Sequence, residues 1–190
     1  RELNNGLGGV AYDDAIYTVR VDVTEDADAK ELVATVSYLL NGASAEAMTF
    51  DNTYTAKPLE ITLGGTKVLD GRELEADEFS FVLRDEDGKE IQTVSNGANG
   101  GFAFDSIVYS APGTYRYTIS EVLPQDDDAQ VDGVQSDNVT YDETAYEVEV
   151  TVTDNGQGNL VLSGLTYDGV AEPLVITNTY EPPSEPPVVP

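Results

Sequence analysis

Residues 141–155 read YDETAYEVEVTVTDN. In an extended chain Tyr146, Val148, Val150 and Val152 fall on one side, and Glu147, Glu149, Thr151 and Thr153 on the other. Alternation of period two marks a strand with one buried face. The pattern recurs in YDDAIYTVRVDVTED (12–26), at an offset of 141 − 12 = 129, with Tyr17, Val19, Val21 and Val23 inward. Working outward, EFSFVLRD (78–85), GFAFDSI (101–107), TYRYTISEV (114–122), NLVLSGLTY (159–167) and PLVITNTY (173–180) follow the same rule. The turn signals DEDG (85–88), NGANGG (96–101), APG (111–113) and DNGQG (154–158) separate them. No segment sustains a helical period. The expected fold is all-β, an antiparallel immunoglobulin-like β-sandwich.

The repeat organises the chain. FDNTYT (50–55) matches ITNTYE (176–181), and Arg1-Glu2-Leu3 aligns with Ser120-Glu121-Val122. Residues 1–55 are therefore expected to be the C-terminal half of a module. A linker follows at 56–60, a complete related module at 61–181, and a Pro-rich extended linker at 182–190. The chain opens without Met and reads as an internal fragment of something longer. Its orphaned half-module is expected either to stay disordered or to be completed by strands from another chain.

Composition narrows the function. Nine Lys and Arg against 36 Asp and Glu give a net charge of −27. That charge argues against nucleic acid and anionic membranes as partners, because phosphate binding needs a cationic face. There is no Cys and no His. Disulfides, transition-metal sites and Ser–His or Cys–His nucleophile pairs are thereby excluded. No apolar run approaches a membrane span, and no cofactor motif is present. DEDGKE (85–90) and QDDDAQVD (125–132) invite a calcium reading, but DEDG lacks EF-hand spacing and suits a hairpin turn. No metal is expected. The long acidic loop 123–139 has no assigned role.

Three strands break the inward rule. Lys67 shares a face with Leu63 and Leu69, Glu121 with Tyr115, Tyr117 and Ile119, and Asn178 with Ile176 and Tyr180. Singly, these read as an edge lysine, a strand-end charge and a turn former, and periodicity alone leaves that reading open. Together, an amine, a carboxyl and a carboxamide form a chemical set. Burial lowers an ammonium's pKa and raises a carboxyl's. A neutral Lys67 could attack the Asn178 carboxamide while a protonated Glu121 polarises it and carries a proton to the departing ammonia.

The run TKVLDGRELEADEFSFVL, then GTYRYTISEV, then the YD.TAY.V.V.V strand, then ITNTYEP resembles the pilin isopeptide-linkage domains of Gram-positive surface proteins, the FctA-like group of major pilins and adhesin stalk repeats. The resemblance covers 61–181 in full and 1–55 as a half. It implies a Lys67–Asn178 cross-link catalysed by Glu121. It also implies an incomplete equivalent site at Glu2 and Asn52, whose lysine position falls upstream of residue 1. Lys30 lies in a polar turn and is a poor substitute. The implied role is a structural stalk module, extracellular at the cell surface in a wall-anchored parent protein. Its partners would be neighbouring modules or subunits, with host ligands engaged through the parent, and it would have no enzymatic turnover. Two other readings stand beside it. One is an adhesin module binding host protein or glycan without a cross-link. The other is a carboxylate-pair glycoside hydrolase, against which no second face-breaking carboxylate partners Glu121. Lys57, an exposed lysine before a proline, is the only sequence hint of sortase-mediated linkage.

Overall fold

Side chains that alternate apolar and polar force strands to pair in layers that close their apolar faces on one another. A computed structural model of the chain describes residues 1–124, 135–136 and 138–183. Its contacts divide into two units, Arg1–Lys57 with Asn155–Asn159, and Pro58–Asp154 with Leu160 onward.

The first unit contains β1 (Val10–Ala11), β2 (Tyr17–Asp26), β3 (Glu31–Leu40), β4 (Ala43–Ala45) and β5 (Thr53–Tyr54). The strands β2, β3 and β4 make an antiparallel sheet in that order, and β1 pairs with β5. Strand β3, ELVATVSYLL, lacks clean alternation and was not apparent from period two.

The second unit contains β6 (Leu59–Ile61), β7 (Gly64–Asp70), β8 (Ser80–Asp85), β9 (Glu90–Ser95), β10 (Gly101–Ala103), β11 (Ile107–Tyr109), β12 (Gly113–Glu121), β13 (Gln135–Ser136), β14 (Val139–Thr140), β15 (Ala145–Asp154), β16 (Leu160–Tyr167) and β17 (Val175–Tyr180). One five-stranded sheet has the order β16-β15-β12-β8-β9 and the other β10-β7-β17-β14-β13. The strand β6 pairs with β11, so Leu59 and Glu60, expected in a linker, are hydrogen-bonded in a ladder. All pairings between named strands are antiparallel except one: β17 runs parallel to β7, with Ile176 opposite Lys67 and Asn178 opposite Leu69.

The two large sheets face each other across an apolar interior. Phe81 on one stacks on Phe102 of the other, with ring centroids 3.9 Å apart. The inward residues of β15, Val148, Val150 and Val152, are buried beside Leu83, Ile119 and Ile176 in the same core. The DEDG segment turns the β8–β9 hairpin: Asp85 Oδ1 accepts from the backbone N–H groups of Asp87 and Lys89, and Gly88 takes φ +79°. That carboxylate serves the turn, and among the described residues no cluster of acidic side chains is arranged for a metal. The acidic stretch 125–132, most of the loop 123–139 and residues 184–190 of the Pro-rich segment lie outside the described residues.

Candidate functional site

Lys67 comes from β7, Asn178 from the neighbouring β17 and Glu121 from the end of β12 on the opposite sheet. Period two turns all three inward. Each is almost wholly buried, with 2%, 1% and 5% of its surface exposed respectively. Lys67 Nζ donates to Glu121 Oε2 at 2.9 Å, and Asn178 Nδ2 donates to Glu121 Oε1, also at 2.9 Å. The glutamate therefore stands between the amine and the amide nitrogen, one oxygen to each, and ties one sheet to the other.

Burial sets the protonation states. Loss of hydration pulls the Lys67 ammonium below its ordinary value, opposed by the hydrogen bond and charge of Glu121. Loss of hydration likewise pushes the Glu121 carboxyl up, opposed chiefly by Lys67. Both shifts favour moving the proton from amine to carboxyl, which leaves two neutral groups in an apolar site.

Three further contacts fix the geometry. The Phe79 ring lies 4.7 Å from Lys67 Nζ. Phe79 is held in turn by buried Asn96, whose Oδ1 accepts from the Phe79 N–H at 2.8 Å. The Lys67 backbone N–H donates to Gly100 O at 2.7 Å. Gly100 has φ +82°, and a Cβ there would stand 2.2 Å from Lys67 O, so only glycine fits this approach.

Asn178 Oδ1 accepts from the backbone N–H of Asp142 at 2.8 Å. Asp142 is itself anchored, with Oδ1 accepting from Thr144 N–H at 2.9 Å and Oδ2 from the Tyr146 hydroxyl at 2.6 Å. A fixed N–H at the carboxamide oxygen is a donor aimed where negative charge develops on acyl attack. The sequence reading did not include Asp142. A signal was present in the repeat itself, where YDDAIY and YDETAY carry the same Asp before the strand.

The first unit repeats the arrangement with one group fewer. Asn52 Nδ2 donates to Glu2 Oε1 at 2.7 Å. Asn52 Oδ1 accepts from Asp13 N–H at 2.8 Å, and Asp13 Oδ1 accepts from Ala15 N–H at 2.8 Å. Glu2 Oε2, the counterpart of the oxygen that receives Lys67, is buried without a hydrogen-bond partner.

A family model described as the Spy0128-like isopeptide containing domain, FctA, matches residues 1–55 and 63–181. No curated protein sequence matches the chain. Among solved structures, the major pilin from Streptococcus pyogenes, in a mutant form, is similar at 19% identity with a TM-score of 0.41. The match covers 66% of this chain and 51% of that one, so the chain spans about half the length of that pilin. With nearly its whole length matched, the chain belongs to the FctA family of Spy0128-like isopeptide containing domains.

Proposed function

We propose that this chain is part of the stalk of a Gram-positive cell-surface pilin or adhesin, and that its module at 61–181 locks itself with an isopeptide bond between Lys67 and Asn178. The observation that carries the reading is the buried carboxyl of Glu121, hydrogen-bonded to the amine on one oxygen and to the carboxamide nitrogen on the other. The half-module 1–55 and the Pro-rich segment 182–190 would join it to further modules of the same stalk.

The reaction follows from the contacts. Lys67 Nζ gives a proton to Glu121 Oε2, and its lone pair adds to Asn178 Cγ. The Asp142 N–H stabilises the charge gathering on Oδ1. The Cγ–Nδ2 bond breaks as Glu121 protonates Nδ2, which leaves as ammonia. The new amide nitrogen then returns a proton to Glu121. One C–N bond forms, one breaks, and the glutamate ends as a neutral acid in its apolar site. The event happens once per chain and has no turnover.

The bond would span 178 − 67 = 111 positions. Chain-entropy reasoning for a cross-link of that loop length gives about 5 kcal/mol. With no Cys in the chain, this brace is independent of redox conditions. Tension entering ahead of residue 67 and leaving after 178 would pass through a covalent bond.

The test is the intact mass of the purified chain under denaturing conditions, with peptide mapping. A deficit of one ammonia, mapped to Lys67 and Asn178, is the expected result. A full sequence mass would remove the clamp and bring forward the adhesin-module reading.

A further inference from the structure

The loop from β7 to β8, GRELEADEF (71–79), borders the amine of the reactive site, and none of its charged residues takes part in the reaction proposed above. It is tied down at both ends. At its start Gly71 takes φ +101°, and a Cβ there would stand 2.2 Å from Tyr180 O, two residues past Asn178. At its finish buried Asn96 gathers the backbone. Its Nδ2 donates to Glu75 O at 2.7 Å, its Oδ1 accepts from Phe79 N–H, and its backbone O accepts from Asp77 N–H at 2.8 Å. Phe79, whose ring lies beside Lys67 Nζ, also packs edge-on against Tyr141, the residue before Asp142, with centroids 5.6 Å apart.

Between these anchors Arg72 and Glu78 form a closed ion pair. Arg72 Nη2 donates to Glu78 Oε1, and Nη1 to Oε2 at 3.2 Å. Oε2 also accepts from Glu75 N–H at 3.0 Å, and Nη1 donates to Glu73 O at 3.1 Å. The guanidinium lies 5.1 Å from the centre of the Tyr180 ring. The two side chains are 33% and 20% exposed, against 63% and 43% for the surface pair Arg116–Glu149, so solvent screens their charges less.

The amine must be neutral to attack. Against the loss of hydration that frees its proton, three carboxylates act on Lys67, those of Glu121, Asp142 and Glu78, each favouring the ammonium. Glu121 takes the proton itself. Asp142 is engaged by the Thr144 N–H and the Tyr146 hydroxyl. Glu78 alone of the three is paired with an arginine. The hydrogen bonds from Arg72 hold its carboxyl below the ordinary value, so it stays an anion and its charge has to be cancelled. We infer that Arg72 is a positioning residue for the bond: it clasps Glu78 beside Tyr180 and offsets its charge, so that the Lys67 amine can part with its proton. This rests on the isopeptide chemistry proposed for Lys67, Glu121 and Asn178.

The test starts from the chemically synthesised full chain, kept in denaturant so that no bond has formed. It is diluted into buffers from about pH 5 to about pH 10, and ammonia loss is timed by mass. Arg72→Ala should move the rise of rate with pH upward by about one unit, a roughly tenfold loss at neutral pH. Arg72→Lys should recover most of that loss. Glu78→Gln added to Arg72→Ala should restore the original profile although the clasp stays broken. A merely structural loop would instead slow the reaction alike at every pH, with no rescue by the second substitution. That result, or an unmoved profile, overturns the inference. The charge is read separately in Asn178→Ala, where no bond can form. There the Lys67 side-chain nitrogen, followed by NMR, should titrate at higher pH with Arg72→Ala and return with Glu78→Gln added, and no movement likewise overturns the inference. Absence of ammonia loss from the unaltered chain would strike the isopeptide reading, and the titration would still decide the part of Arg72.

Discussion

Asn52 and Asn178 make the same two hydrogen bonds, to a glutamate and from an aspartate N–H, yet Asn52 is exposed and Asn178 is sealed in a core. The difference between the units is the presence of β7, β8, β9 and β12, not the local geometry of the asparagine. Carboxyl oxygen and backbone donor meet the asparagine in the same way in both units. What the opening strands add is the amine and the burial. In both units these contacts join residues far apart in sequence, and only in the second does a closed core surround them.

The comparison breaks most visibly at the proposed Lys67–Asn178 bond. Lys67→Ala or Asn178→Ala should restore the full mass and lower the melting temperature, on the order of 15 °C for a loss of about 5 kcal/mol in a unit of this size. Asn52→Ala in the same chain should change neither mass nor melting. Equal melting of all three proteins would show that the two sites do not differ in the way described. Next in size is the valine row. Val150→Ala opens a cavity in a closed core and should cost about 2 kcal/mol in chemical denaturation. The matched Val21→Ala, at a half-exposed position, should stay within about 0.5 kcal/mol. Asp142→Ala leaves the N–H in place but releases the turn that aims it. Bond formation, followed by mass after pulse labelling, should slow by about tenfold, the worth of one or two lost hydrogen bonds.

The smallest effect is in pH. In Asn178→Ala the amine and carboxyl remain unbonded. The Glu121 pKa is raised on folding, so the folded state binds protons more readily above the ordinary value of 4.5, and stability should fall as pH rises through that window. The Lys67 pKa is lowered, so its contribution should recover toward 10.5, where the unfolded lysine also loses its proton. Against Asn178→Ala/Glu121→Gln, urea midpoints should diverge on the alkaline side of 4.5. Parallel curves would mean that burial does not shift Glu121.

The three buried polar side chains were legible because each interrupts an apolar row in a strand whose period is plain. Lys67, Glu121 and Asn178 could be picked out before their contacts were known. Asp142 was not, because its part is played by a backbone N–H, which every residue but proline carries. The all-β class was equally plain in EVEVTVT and YRYTIS. The parallel pairing of β7 with β17 was hidden, since strand order depends on how layers close and not on any one strand. Strands β6 and β3 were obscured for local reasons: LEI is too short to show a period, and ELVATVSYLL changes phase partway.

That parallel pair has a consequence for how such modules can be chained. Neighbouring strands that run antiparallel bring a chain back to the pole at which it arrived. Here the polypeptide enters β7 at Gly64 and leaves β17 at Tyr180 travelling in the same direction. Entrance and exit are offset along the sheet by roughly 20 Å, the length of six or seven extended residues. A protein made by repeating this module would advance with each copy, so reach would grow in proportion to copy number without long connectors to turn the chain around.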